Sequence, residues 1–333
     1  MKSTKIIIAA VLSLFFLSST FAATTPKPPA NTFAVTPAGK ALGFTITPII
    51  TGMPTTVQTW GTQGGASVVA AKNGDIVVVN SNDDVVRVYS NSESANGSKL
   101  KYTSTIAGIH VSQLANLNGT IYARLNQAVG TPTSGSLIQL NDNGTLAKTI
   151  ISNIPAGFPL VAAPALNSLI FGSNATGGFY LVTAPNGGTP YNALTPAPSF
   201  YQISTDPIGG TINMYFDCCS KSVYAEYLAN LERFSLSGMT LTQNLGLYIQ
   251  GSPWDGSGYG IGKIGGTSTL NGQFVLNNRT DMIVIDPDTN IRTTIVSGGN
   301  QVGSRAAAHQ DGSLLVIQGG SVYKLRCTNC SFL

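Results

Sequence analysis

The sequence predicts an all-β chain folded as a six-bladed β-propeller closed by its own N-terminal strand, and three observations lead there. Short runs of alternating apolar and polar residues fill the chain, broken by Gly, Asn, Asp and Pro, with no sustained helical periodicity. Hairpin signals recur at a steady spacing. One strand-like stretch at the front, "FTITPIITGMP" (44–54), has no neighbour in sequence to pair with.

Taken in order, Lys2 and Lys5 precede the apolar run "IIIAAVLSLFFL" (6–17), and Thr20 and Ala22 occupy the small-residue positions of a cleavage site. Residues 1–22 therefore read as a secretory signal peptide, because the run is shorter than the roughly 20 residues a membrane span needs. The polar, Pro-rich stretch 23–43 reads as a leader and 44–333 as a single propeller domain. The expected product is a monomer secreted to an extracellular or periplasmic space, with no membrane insertion.

The hairpin signals are "AAKNGDIVVVN" (70–80), "ANLNGTIYARL" (115–125), "STLNGQFVLN" (268–277) and "AAHQDGSLLVIQ" (307–318), with "AAPALNSLIFG" (162–172) a degenerate relative. The four clear signals put Asn-Gly or Asp-Gly between β-rich runs, in turns expected to hold both residues at positive φ. A third strand and a Thr/Ile-rich fourth follow, as in "GSLIQL", "NDNGT", "LAKTIIS" (135–152) and "DMIVID", "PDTN", "IRTTIVSGG" (281–299). Fourth strands begin near 44, 100, 145, 200, 240 and 291, about 49 residues apart on average, within the range of propeller blades. The last unit, "GSRAAAHQDGSLLVIQGGSVYKLRC" (303–327), stops after three strands. Pairing 44–51 with "SVYKL" (321–325) supplies the fourth and removes the open edges.

Only 10% of residues are charged, where about 25% is usual, so the surface must be built from Ser, Thr, Asn and Gln. Because Lys2 and Lys5 leave with the signal, 16 of the 18 Lys and Arg face 14 acids. A net charge of +2 is no nucleic-acid footprint. Two disulfides are expected among Cys218, Cys219, Cys327 and Cys330, with all three pairings open. Adjacent cysteines rarely both reach one tetrahedral ion, so a zinc site is not expected there. No cofactor is expected elsewhere, and nothing in the sequence supports a divalent metal in the channel. Sequons at Asn96, Asn118, Asn143, Asn174, Asn278 and Asn329 are glycan acceptors if the source is eukaryotic.

The stretch "AAAHQDGSLLVIQGGSVYKL" (306–325) runs from an apolar segment through Asp-Gly to an apolar strand and Gly. It resembles the blade core of secreted six-bladed propellers of the regucalcin/gluconolactonase, NHL-repeat and streptogramin-lyase-like type, which implies that fold over most of the chain. Functional residues do not carry over. The gluconolactonase-like group implies a divalent-metal site beginning with a Glu before the first blade, where this chain reads "TTVQTWGTQGGAS" (55–67). The lyases imply a His and a Glu together on late blades, and His309 has no nearby Glu.

Other motifs read as structure. "DPDTN" (286–290) matches the start of a calcium loop, but Ile291 and Ser297 stand where a Gly and a bidentate Glu are needed, so it reads as a turn between strands. "GIGKIG" (260–265) fits Gly-x-Gly-x-x-Gly without a following helix and reads as a flexible loop. "DCCSKSVYAEYLANLERFSL" (217–236) departs from the blade pattern and reads as a disulfide-supported loop, and His309 as a turn residue. The positions that begin inner strands should converge on one channel mouth: Gln63, His110, Phe158, Trp254, Asp255 and Arg305. They suit a small polar ligand, a glycan or a protein partner, with stacking on Trp254 and a bidentate contact from Arg305. A binding module is the expected function. The alternative is a lactonase-like hydrolase or lyase with His110, Asp255 and Arg305 in acid, base and electrostatic roles.

Overall fold

The computed structural model describes residues 33–332 apart from 59–60, 64, 81–84, 95–96, 107–108, 128–133, 158, 174–175, 194–196, 205–212, 228–229, 250–259, 278–279 and 300–304. Six antiparallel blades follow one another, each with sequential strands as neighbours. Blade 1 is Gly65–Ala70, Ile76–Asn80, Val85–Tyr89 and Leu100–Thr105. Blade 2 is Ile109–Leu117, Thr120–Gln127, Ser134–Leu140 and Leu146–Pro155. Blade 3 is Leu160–Ala163, Ser168–Gly172, Phe179–Thr183 and Ser199–Ser204. Blade 4 is Asn213–Asp217, Ser222–Tyr227, Asn230–Ser237 and Thr240–Ile249. Blade 5 is Gly260–Gly266, Phe274–Asn277, Met282–Ile285 and Arg292–Ser297. Blade 6 takes Ala306–Ala308, Leu314–Gln318 and Ser321–Cys327, and its fourth strand is Phe44–Ile50.

The closing strand pairs as the repeat count requires, with Ile46 opposite Leu325 and Ile50 opposite Val322. Its register shifts between Pro48 and Ile50, beside the residue that has no N–H for the ladder. Each inner strand touches the next around the ring, and that of blade 6 touches that of blade 1. Because a blade is covered on both faces, its second strand can be buried along its whole length: Ile76–Asn80, Ser168–Gly172 and Leu314–Gln318 are buried at every position, mostly apolar with one polar residue at an end. The seam between blades 6 and 1 packs Ile49, Ile50 and Ile317 against Val68, Ile76 and Val78.

Several local expectations change. Only Asn118 and Gly119 both take positive φ (53° and 86°). In blade 5 the 268–277 signal sits in a longer loop, Ile264 N–H bonding Gln273 O with Gly272 at φ 88°, and in blade 1 the turn is a residue longer: Ala71 N–H bonds Asp75 O and Gly74 N–H bonds Ala71 O, leaving only Gly74 at positive φ (84°). His309 to Ser313 repeats this arrangement, with Gly312 at 79°. In the degenerate unit Asn167 takes the left-handed position (φ 47°). "GIGKIG" is no loop but the inner strand of blade 5. Its glycines answer to space, since a Cβ on Gly262 would stand 2.8 Å from Leu314 Cδ1 and one on Gly260 3.0 Å from Ala306 N. Residues 217–236 are no irregular loop either: they supply the first turn of blade 4 and its second and third strands.

Part of the expected leader is built into the fold. Ala34–Val35 pairs with Ser297 and Val296 on the outer edge of blade 5, and Phe33 meets Tyr323 edge-on at 5.3 Å. A short helix, Pro37–Ala41, follows, capped by Thr36 Oγ1 accepting from Gly39 N. At the other end Cys330–Phe332 pairs with the inner strand of blade 5, Phe332 opposite Ile264.

Candidate functional site

The six inner strands surround a cavity of about 550 Å³ on the propeller axis, and every blade contributes to its lining. Val68, Leu114, Leu160, Met214 and Ile261 give it apolar walls, and Ala306, Ala307 and Ala308 of blade 6 leave room because their side chains are small.

Its two ends differ. Where the inner strands finish and turn outward, the lining residues Pro164, Ala165, Cys218 and Gln310 are exposed. Toward the beginnings of the strands the lining is polar and buried: Ser67 (1% exposed), Asn213 (3%), Gln113 (5%) and Arg305 (6%). Hydrogen bonds tie this end across blades. Ser67 Oγ accepts from Leu114 N at 3.0 Å, joining blades 1 and 2. Gln113 Oε1 accepts from Leu160 N at 2.8 Å, joining blades 2 and 3, while Gln113 Nε2 donates to Asn213 Oδ1 of blade 4 at 3.2 Å. A buried amide that satisfies both its oxygen and its nitrogen this way holds a fixed orientation.

Arg305 is anchored at its own backbone, its carbonyl accepting from Ile317 N at 3.2 Å. It is the member of the sequence-predicted set whose side chain is placed on the cavity. Gln63 lies in a separate hairpin, Thr56–Gln58 with Gly61–Gln63, opposite Thr56. His110 lies near the start of the blade 2 inner strand, opposite Asn126 and three residues before Gln113. The side chains of Gln63 and His110, and all of Phe158, Trp254 and Asp255, fall outside the described residues. His309, expected as a turn residue, is one: it is 6% exposed, with Nε2 3.2 Å from Gly74 O.

Ser67, Gln113 and Asn213 escaped sequence reasoning. Each is one polar letter inside a strand, which alternation assigns to solvent. The signal that could have found them is their shared place on inner strands of successive blades.

At the exposed rim, Asp217 ends the inner strand of blade 4. Its Oδ2 accepts from Lys263 Nζ and Ser220 Oγ, both at 2.7 Å, and its Oδ1 from Cys219 N at 3.2 Å. Burial works to raise the Asp217 carboxyl, but these donors outweigh it and hold the pKa below the usual range. Cys218 and Cys219 occupy the turn, exposed, with sulfurs 3.7 Å apart. The contact with Cys219, then burial, pushes the Cys218 thiol up. Of the two expected disulfides one is formed, Cys327 to Cys330. "DPDTN" is a self-contained turn, with Asp286 Oδ1 accepting from Asp288 N at 2.9 Å and Thr289 N at 3.3 Å.

Fold and cavity together define a six-bladed β-propeller with an axial chamber. No protein-family profile and no curated protein matches the sequence. Among solved structures the chain is similar to an auxiliary nutrient binding protein from Bacteroides thetaiotaomicron VPI-5482 (TM-score 0.59, 10% identity, 85% of this chain and 76% of that one). It is likewise similar to a gluconolactonase from Xanthomonas campestris (0.57, 10%, 90% and 96%) and to a streptogramin B lyase (0.50, 11%, 86% and 98%). At these identities the likeness is one of fold. The resemblance drawn from 306–325 holds at that level, and these neighbours include both binding proteins and enzymes.

Proposed function

We propose that the protein is a secreted, monomeric binding module that takes a small ligand into the axial cavity from the rim side. The apolar part of the ligand would lie against Val68, Leu114, Leu160 and Met214, and its polar or anionic end would face Gln113, Asn213 and Arg305. The observation that carries this reading is the buried polar end of an otherwise apolar chamber. About 550 Å³ lies within the usual size of small-molecule sites, and a chamber of this shape suits a small molecule better than a glycan chain or a protein segment. The likeness to a nutrient-binding protein supports it.

The hydrolase or lyase alternative rests on Arg305 at the cavity and on the likeness to a gluconolactonase. Among the described residues no imidazole or carboxylate lines the chamber, where Tyr215 and Cys218 are the titratable groups beside Arg305, so the acid and base roles of this reading rest on His110 and Asp255.

The test is calorimetric titration with aldonic acids, monosaccharides and short-chain carboxylic acids. A ligand that binds should lose about tenfold or more in affinity in Arg305→Met, as expected for one hydrogen bond to a charged group. Unchanged affinity in both Arg305→Met and Asn213→Leu would sink the reading. Lactone turnover abolished by His110→Ala would favour the enzyme.

A further inference from the structure

Ligand binding gives no role to the paired thiols on the chamber's rim. Cys218 lines the cavity, both thiols are exposed, and their sulfurs stand 3.7 Å apart. Asp217 pins the turn that presents them, through Cys219 N, Ser220 Oγ and Lys263 Nζ. Cys327 and Cys330 are bonded to each other, so neither is left as a partner.

We propose that Cys218 and Cys219 form a reversible vicinal disulfide, a redox modification site on the rim of the axial cavity that exchanges with low-molecular-weight disulfides. One thiolate attacks a sulfur of the small disulfide, giving a mixed disulfide and releasing one small thiol. The neighbouring thiolate then attacks the protein sulfur of that bond, closes Cys218 onto Cys219 and releases the second small thiol. Two electrons pass to the oxidant, and the two cysteine protons end on the released thiols.

Adjacency sets the character of the bond. Successive Cα atoms lie about 3.8 Å apart across a trans peptide, whereas disulfides usually join Cα atoms about 4.4–6.8 Å apart. A bridge between neighbours is therefore strained and belongs with the exposed, readily reduced bonds rather than the structural ones. Closing it draws the sulfurs from 3.7 Å to about 2.0 Å and moves the Cys218 side chain at the chamber rim.

The test uses the full chain equilibrated at stepped ratios of oxidised to reduced glutathione, quenched in acid, alkylated with iodoacetamide and mapped by mass spectrometry. The peptide holding Cys218 and Cys219 should lose two hydrogens at oxidising ratios. It should regain both alkylation sites at ratios about tenfold or more less reducing than those that open Cys327 from Cys330. Two alkylated cysteines at every ratio would overturn the proposal, as would bonds to other cysteines or a bridge as resistant as the Cys327–Cys330 one. The variant Cys219→Ser should trap one glutathione on Cys218, and failure to do so would also count against it.

Discussion

Blade 6 meets blade 1 through a charged seam that makes Asp311→Asn the most informative single change. Lys324 is 2% exposed, and its Nζ lies 2.6 Å from Asp311 Oδ2 and 2.8 Å from Glu93 Oε1, on the loop after the third strand of blade 1. Arg326 grips both Glu93 oxygens, at 2.5 and 2.6 Å, and Asp311 Oδ2 at 2.8 Å. An Asn at 311 keeps an oxygen for Ser313 N and Oγ, which Asp311 Oδ1 now accepts at 3.0 and 2.5 Å, so the turn should survive. Its amide nitrogen, however, would face the buried ammonium. Breaking one arm of a fully buried ion pair costs about 3–5 kcal/mol, but only Lys324 is buried here, Asp311 is exposed and Glu93 remains, which places this case at about 2 kcal/mol. The half-exposed Arg326 arm adds little, because solvent screens it. At about 2–4 °C per kcal/mol, Tm should fall by about 4–8 °C near pH 7. The pH dependence gives an independent check. Arg326 and Lys324 pull Glu93 down to about 2, and hydrogen bonds from Lys324 and Ser313 outweigh burial to hold Asp311 well below the usual carboxylate range. Carboxylates depressed in the folded state add stability above their unfolded pKa, about 4, and lose it as pH falls toward 2. The gap between wild type and variant should therefore narrow from pH 5 to pH 3. Thermal melts followed by circular dichroism would refute the reasoning if Tm fell by less than about 2 °C near pH 7, or if the gap at pH 3 equalled that at pH 7.

Two further changes probe the ring elsewhere. Arg124 is fully buried, donates to Pro155 O, Pro159 O and Gly172 O at 2.6, 2.9 and 2.5 Å, and lies 4.7 Å from the Phe171 ring centre. Arg124→Met should cost about 2–4 kcal/mol in urea unfolding, the lost carbonyl donors outweighing relief of a desolvated cation, and a variant as stable as wild type would remove Arg124 from the account. Deleting 44–51 should abolish the cooperative thermal transition by exposing Ser321–Cys327 as an edge; a sharp transition would mean that blade 6 closes some other way.

The blades were legible because their signals are local. Asn73-Gly74, Asn118-Gly119 and Asp311-Gly312 each declare a turn within a few residues, and repetition did the rest, so the fourth strands begin at Phe44, Leu100, Leu146, Ser199, Thr240 and Arg292. Misreadings arose where a distant contact decides. Gly260 and Gly262 look like loop residues, yet they are small because blade 6 presses on them. Phe33, Ala34 and Val35 look like leader, yet they cover the outer edge of blade 5.

The cavity floor follows the same logic with more at stake. Gln113 and Asn213 are 100 residues apart and belong to blades 2 and 4, so nothing near either predicts a hydrogen bond across the axis. Taken singly, each is a polar residue in a strand and belongs on the surface. Only the closed ring turns both inward, and only there does a polar group need a partner. Ring closure therefore creates the candidate site as well as the fold. A change that opens the seam at Phe44–Ile50 should scatter Ser67, Gln113, Asn213 and Arg305, whereas one confined to the floor should leave the ring intact and alter only what the chamber holds.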